Sequence, residues 1–285
     1  MELMCHPPGC RSEAGVRPPK LTPRLQQFSG FNTTLAGLQR RGTPVVLVDS
    51  RAPSRGQCSV AVDDVLGGDL AVTHLLDNGH ERIAYISGPP ALRQVADRRE
   101  GALHALRRAG RPPKSLQVIE TSALNVTAGK WAGAAIASIP AASRPTAVFC
   151  ANDLMALGVL QEMTRNHIRV PEDMSIVGYD DIDFAAAAAV PLTSVRQPRH
   201  QLGRMAARLL LEEAADDDVT HQHRQVIFEP ELVVRQSTQA PPPRDAVVLP
   251  SAQMEATPVY VSETGQDIRA ASRRISGVDR NLPAR

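Results

Sequence analysis

The sequence predicts an α/β fold in which parallel strands are covered by helices on both faces. Between residues 43 and 236, short apolar runs alternate with longer segments whose apolar residues recur at helical spacing. The short runs are continuously apolar rather than alternating, which is typical of strands buried on both faces of a sheet. The 285 residues are 42% hydrophobic and 22% charged, an ordinary balance for a globular protein.

The first part of this region predicts four strands and two helices. "TPVVLVD" and "RIAYISG" are short and rich in β-branched residues, whereas the helical segments end at Gly79 and Gly110, a residue that commonly terminates helices. The predicted strands are 43–49, 58–64, 82–88 and 116–121, and the helices are 67–80 and 95–110.

The second part continues the same alternation. Its predicted helices are 128–139, 152–166 and 197–215, and its strands are 146–151, 174–180 and one or two within 224–236. Residues 1–31 contain many prolines, and residues 239–285 are polar and irregular, so both are predicted to be disordered.

Polar residues follow several predicted strands at their carboxyl ends, where open parallel sheets bind ligands. Asp49 follows "VVLV", Asn152 follows "AVFCA" and Asp180 follows "SIVGY". Arg98 lies in the first turn of the helix after "RIAYIS". Helix capping is an alternative role for Asn152 and Asp153, because both residue types stabilise helix N-termini. Together these groups predict a site for a small polar or polyhydroxylated ligand.

Six long motifs occur in order between about residues 35 and 238: "GTPVVLVD", "AVDDVLGGDLAVTHLLDNGHERIAYISGP", "DRREGALHAL", "RPTAVFCANDLMALGVLQEM", "RVPEDMSIVGYDDIDFA" and "PLTSVRQPRHQLGRMAARLLLE…PELVVRQST". They resemble the effector-binding core of a LacI/GalR-type (lac-repressor family) transcriptional regulator. The resemblance implies a periplasmic-binding-protein-like fold, with two parallel-sheet subdomains and three crossovers. It also implies a small effector, usually a sugar or nucleobase, in the cleft of a DNA-binding dimer, and no cofactor.

The resemblance assigns effector contacts to particular residues. They are Asp49, Arg98, Leu124, Asn152, Asp180 and Gln197. Leu124 occupies the position of an aromatic platform in many members, which argues against stacking on a sugar ring. Trp131 is predicted to pack in the core instead, because it shares helical spacing with Ala128, Ala132 and Ile136.

The family's dimer surface maps to two segments of this chain. The helix after "AND" is expected to present Leu157 outward, and the loop "DIDFAAAAAVPLT" contributes Phe184 and Ala188. The alanine run in that loop offers few side-chain contacts, so a weakened homodimer is expected.

The N-terminal region of the chain departs from the family pattern. A helix-turn-helix headpiece is not visible, and the prolines of residues 1–31 are incompatible with one, so this polypeptide alone is not expected to read a DNA sequence. The predicted domains are a disordered segment 1–31, an incomplete N-terminal subdomain (32–62 plus 197–229), a C-terminal subdomain (63–196 plus 230–238) and a disordered tail 239–285.

Other functional classes fit less well. A periplasmic-type sugar-binding protein and a dimerisation-only partner of a full-length regulator are the alternatives. No catalytic motif is present, and Cys5, His6 and Cys10 have no second ligand pair, so neither an enzyme nor a metal site is predicted. His221 and His223 are interpreted as part of an exposed loop. Without an export signal or a membrane-spanning run, a cytoplasmic location is expected.

Overall fold

The computed structural model describes residues 37–38, 41–215 and 221–241. The predictions for residues 1–31 and for most of the tail 239–285 lie outside these described residues. Within them, no helix is long and apolar enough to cross a membrane.

In the described part of the chain, the larger of two sheets contains six strands. They are β3 (Ile83–Ser87), β4 (Leu116–Glu120), β5 (Ala147–Cys150), β6 (Ser175–Asp180), β7 (Thr193–Arg196) and β9 (Glu231–Val233). Their order is β4-β3-β5-β6-β7-β9, and every pair is parallel except β7 with β9. Strands β3 and β5 are buried at every position, as their continuous apolar runs predict.

The smaller sheet contains β1 (Val46–Val48), β2 (Cys58–Val62) and β8 (Gln225–Phe228), in the parallel order β1-β2-β8. The chain passes between the two sheets after β2, after β7 and again after β8. The buried core of the smaller sheet consists of Cys58, Val60, Val62, Leu202 and Leu209. The α/β class with parallel sheets and three crossovers is therefore confirmed.

Helices connect the strands of both sheets. They are α1 (Asp64–Asp77), α2 (Arg93–Arg108), α3 (Val126–Ala137), α4 (Asp153–Arg165), α5 (Asp183–Ala186) and α6 (Arg199–Ala215). Helix α1 begins before the predicted residue 67, because the Asp63 carboxylate accepts a hydrogen bond from the amide of Leu66 at 3.1 Å and caps the helix there.

Helices α3 and α4 pack closely through small residues, and this packing corrects one expectation. A Cβ atom at Gly129 would collide with the carbonyl group of Met155 in α4. The buried face of α3 is built from Gly129, Ala132, Gly133 and Ile136, which leaves no room for an indole ring. The prediction that Trp131 packs in the core is wrong, since its side chain is 61% exposed.

Candidate functional site

Arg98 of helix α2 lies at the centre of a charged cluster and is 4% exposed. Its Nε donates to Asp64 Oδ1 at 2.8 Å, and its Nη1 donates to the carbonyl oxygen of Ala151 at 2.6 Å. Its Nη2 lies 3.8 Å from Asp180 Oδ1, beyond hydrogen-bond distance. Arg98 therefore links the carboxyl ends of strands β2, β5 and β6.

The guanidinium is held in place by its surroundings. Its carbon atom lies 3.6 Å from the centre of the Tyr179 ring, a cation–π geometry. A Cβ atom at Gly68 would collide with the backbone of Arg98, so glycine allows α1 to bring Asp64 this close. Burial disfavours the charged form, but Asp64, Tyr179 and Asp180 together raise the pKa of Arg98, which stays protonated.

Asp180 ends strand β6 and faces this guanidinium. Its φ angle is 99°, a strained region for a residue other than glycine and one that often marks functional sites. Gln197, directly after β7, donates from Nε2 to Asp180 Oδ1 at 2.7 Å. Burial raises the pKa of Asp180, while Arg98 and the hydrogen bond from Gln197 oppose that rise. Asp180 is a partly accessible acceptor whose orientation is set by two neighbours.

The second acid of "GYDD" has a different role. Asp181 is 7% exposed and forms ion pairs with Arg196 Nε and Arg235 Nη2, both at 2.6 Å. These contacts hold β7 and the segment after β9 together. Only the first acid of the pair faces the Arg98 cluster.

Asp49 brings the smaller sheet into the same cluster. It follows β1 with a φ of 55°, and its carbonyl oxygen accepts a hydrogen bond from Gln94 Nε2 of helix α2 at 2.7 Å. Burial, followed by repulsion from Asp64, raises the pKa of Asp49, and attraction to Arg98 lowers it. Asp49, Asp64 and Asp180 thus outnumber the single guanidinium near them, which gives the cluster an excess of acceptors.

The "AND" motif at the start of α4 combines capping with contacts to neighbouring strands. Asn152 is the N-cap, since its Oδ1 accepts from the amide of Met155 at 3.0 Å. Its Nδ2 donates to the carbonyl oxygen of Leu124 at 3.3 Å. Asp153 is fully buried and accepts from Ser194 Oγ at 2.7 Å and from the amide of Ile182 at 2.9 Å. Asp153 is structural, and Asn152 is the residue next to the Arg98 partner Ala151.

The structure brings together Asp49, Arg98, Asp180 and Gln197, and it places Asn152 and Leu124 beside them. Leu124 is half-buried against Gly88 after β3, so its side chain is an aliphatic surface at the position of the family's aromatic platform. Asp64 and Gln94 are contacts that the sequence motifs did not indicate. Asp64 follows the end of β2, so the same strand-end rule that selected Asp49 and Asp180 also points to it.

The predicted dimer residues differ in exposure. Phe184 is 71% exposed, whereas Leu157 and Ala188 are half-buried and pack against the main core. Leu157 is therefore only partly exposed, and its place in a dimer surface stays a prediction. On helix α4 the exposed leucine is Leu154, at 37%.

Residues 72–238 match the model of the periplasmic binding protein-like domain family. The chain belongs to the periplasmic binding protein-like family. Curated relatives of this family member include the HTH-type transcriptional repressor CytR of Escherichia coli strain K12, which is 37% identical over 204 residues (72% of this chain, 58% of the relative). The HTH-type transcriptional repressor PurR of Aliivibrio fischeri strain MJ11 is 35% identical over 215 residues (75% and 63%).

Solved structures place this family member with the LacI-type regulators. A LacI family transcriptional regulator from Enterococcus faecium with bound ribose superposes with a TM-score of 0.68 at 28% identity, covering 73% of this chain and 75% of that one. A regulator CelR–cellobiose complex gives a TM-score of 0.61 at 29% identity, with 73% and 69% covered. These relatives are transcriptional regulators rather than enzymes. The chain spans about three fifths of the curated relatives' length.

Proposed function

We propose that this chain is the effector-binding core of a LacI-type transcriptional regulator and that its effector is a small polyhydroxylated molecule of the sugar class. The effector contacts the Arg98 cluster, which consists of Asp49, Asp64, Arg98, Asp180 and Gln197. In the full-length regulator, effector binding changes the affinity of a dimer for its operator DNA. The CytR and PurR repressors and the ribose and cellobiose complexes support this assignment.

The proposal depends on Arg98 Nη2, which makes no hydrogen bond to a described residue. The hydrogen bonds of Arg98 to described residues use Nε and Nη1, and the Asp180 carboxylate is held 3.8 Å from Nη2. A ligand hydroxyl can accept from Nη2 and donate to Asp180 at the same time, because a hydroxyl is both donor and acceptor. Hydrogen bonds to charged groups in this position contribute about 1.5–3 kcal/mol each.

The excess of carboxylates favours hydroxyls over anionic ligands. Asp49 and Asp180 are acceptors, and Asp64 already neutralises much of the Arg98 charge at 2.8 Å. A ligand carboxylate or phosphate would be repelled by two of these groups, whereas sugar hydroxyls would donate to them. The aliphatic side chain of Leu124 can pack against the apolar face of a small sugar without stacking on it.

Isothermal titration calorimetry with ribose, cellobiose and a set of nucleosides tests this proposal. We expect one sugar to bind, and Asp180→Asn and Gln197→Ala each to weaken that sugar by about 10- to 100-fold, the loss of a hydrogen bond to a charged group. These variants leave the Arg98–Asp64 pair intact, so thermal unfolding should show a folded protein.

Asp173→Asn is the matched control, since Asp173 makes an ion pair with Arg169 on the surface, outside the Arg98 cluster. Its sugar affinity should equal that of the wild type. Equal sugar affinity in wild type, Asp180→Asn and Gln197→Ala would contradict the assignment of the site. Binding of nucleosides alone would contradict the assignment of the effector class.

A further inference from the structure

A second cluster of potential ligands lies in the smaller sheet, away from the Arg98 cluster. It consists of Cys58, Glu213, His221 and His223, whose ligand atoms all lie within 4.8 Å of one another. Cys58 begins strand β2, whereas Asp64 follows the other end of that strand. Along a strand of 3.3 Å per residue these ends are about 13 Å apart, so the two clusters are separate.

The geometry around the thiol matches the spacing of ligands in a tetrahedral zinc site. Cys58 Sγ lies 3.3 Å from His221 Nε2 and 3.7 Å from His223 Nδ1. With Zn–S near 2.3 Å and Zn–N near 2.05 Å, a tetrahedron places sulfur and nitrogen about 3.6 Å apart. The two observed distances lie on either side of that value.

Hydrogen bonds among the described residues leave one ligand atom of the cluster without a partner. Cys58 can donate its proton to one imidazole and accept from the N–H of the other, and the two ring centres lie 4.9 Å apart. The backbone amide of Arg224 also donates to Sγ, at 3.5 Å. Among the described residues, Glu213 Oε2 is buried without a hydrogen-bond partner, which leaves an acceptor for a cation.

We propose that Cys58, His221 and His223, with Glu213 as the fourth ligand, bind one Zn²⁺ ion that joins β2, the end of α6 and the segment before β8. One thiolate, two imidazoles and one carboxylate give four protein ligands, the coordination number of structural zinc sites, whereas catalytic sites leave one position to water. Five of the described residues form the buried core of that sheet, and the ion would reinforce it. Zinc binding here would contradict the sequence-based prediction that the chain has no metal site.

The test uses the full chain with Cys5→Ser, His6→Gln and Cys10→Ser, so that the N-terminal ligand types cannot contribute. Zn²⁺ alone is titrated by calorimetry, and Co²⁺ serves as the spectroscopic probe. We expect one equivalent of Zn²⁺, a thiolate-to-Co²⁺ charge-transfer band, the intense visible bands of tetrahedral Co²⁺, and a higher midpoint of thermal unfolding with Zn²⁺, because binding only to the folded state stabilises it.

Single ligand variants decide the assignment. His221→Gln and His223→Gln should each lower Zn²⁺ affinity by more than about 100-fold, the upper range for losing an outer partner of a metal ligand, and should remove the Zn²⁺-dependent shift in thermal midpoint. Cys58→Ser should abolish the charge-transfer band. His200→Gln, on the exposed surface of the same helix α6, is the control and should match the parent protein.

Two results would overturn the proposal. The first is the absence of a charge-transfer band in the parent protein at saturating Co²⁺. The second is an unchanged Zn²⁺ affinity in both histidine variants. His221 and His223 lie outside the buried core of the smaller sheet, whereas Cys58 belongs to it. The two histidine variants therefore remain informative if Cys58→Ser fails to fold.

Discussion

Arg98→Met tests whether the buried ion pair at the centre of the candidate site also stabilises the fold. The substitution keeps an unbranched apolar side chain but removes the guanidinium, which leaves the Asp64 carboxylate, 5% exposed, without its partner at 2.8 Å. Breaking a buried pair by removing one partner costs about 3–5 kcal/mol. The carbonyl of Ala151 also loses a donor at 2.6 Å, so we expect a loss of unfolding free energy in that range.

The companion substitutions distinguish the pair from the surrounding packing. Arg98→Met with Asp64→Leu replaces both charges by apolar groups and should be less destabilising than Arg98→Met alone, because no buried carboxylate remains unpaired. Arg108→Met is the matched control on the same helix. Arg108 pairs with Asp69 at 2.7 Å but is 60% exposed, so its loss should cost only about 0–1 kcal/mol.

Equilibrium unfolding in urea, followed by far-ultraviolet circular dichroism, measures these changes. Helical signal is preferable to fluorescence, since the only tryptophan, Trp131, is largely exposed before unfolding. A loss below about 1 kcal/mol for Arg98→Met, or a double variant less stable than the single one, would refute the reasoning.

Three further predictions concern pH, local stability and self-association. Burial raises the pKa of Asp153 to about 7 from an ordinary value of 3.8, despite hydrogen bonds from Ser194 and Ile182. The carboxyl ionises near pH 3.8 in the unfolded chain and near pH 7 in the folded one. The free energy of unfolding of the wild type, relative to Asp153→Asn, should therefore fall by up to about 4 kcal/mol as the pH rises from about 4 to 7. A difference in unfolding free energy between the two proteins that stays constant across that range in urea would contradict this. Amides of residues 46–62 should exchange hydrogen faster than those of residues 147–150 and 175–180, because β1 is a sheet edge over a small core; equal protection by mass spectrometry would be evidence against it. Phe184→Asp should reduce dimer formation in analytical ultracentrifugation without unfolding the chain, because Phe184 is 71% exposed; unchanged self-association would exclude Phe184 from the interface.

The sequence by itself determined the class of fold and the edge of the sheet that carries the candidate site. Continuous apolar runs separated by helical periodicity are typical of buried parallel strands with helices between them. Strand ends then bring Asn152 and Asp180 to one edge of the larger sheet, since parallel strands share their carboxyl ends, whereas Asp49 follows β1 of the smaller sheet. The order of the six motifs indicated the family, and the match of residues 72–238 to the periplasmic binding protein-like domain agrees with it.

Other features depended on how the elements pack against each other. Helical spacing placed Trp131 on an apolar face, but contact of α3 with α4 through Gly129 selected another face for burial. Leu157 and Leu154 are both leucines of one helix, and only the packing of α4 shows which is exposed. A periodic pattern identifies an apolar side without fixing the angle at which a neighbouring helix approaches.

Only the tertiary structure placed Cys58 beside His221 and His223. The thiol is separated from the histidines by 163 and 165 positions in the chain, so no local spacing could reveal the cluster. Their proximity arises because β8 pairs in parallel with β2, which aligns the segment before β8 with the first residue of β2. Ligand motifs can be read from a sequence when one turn or helix supplies them, whereas ligands brought together by strand pairing become neighbours only after the chain has folded.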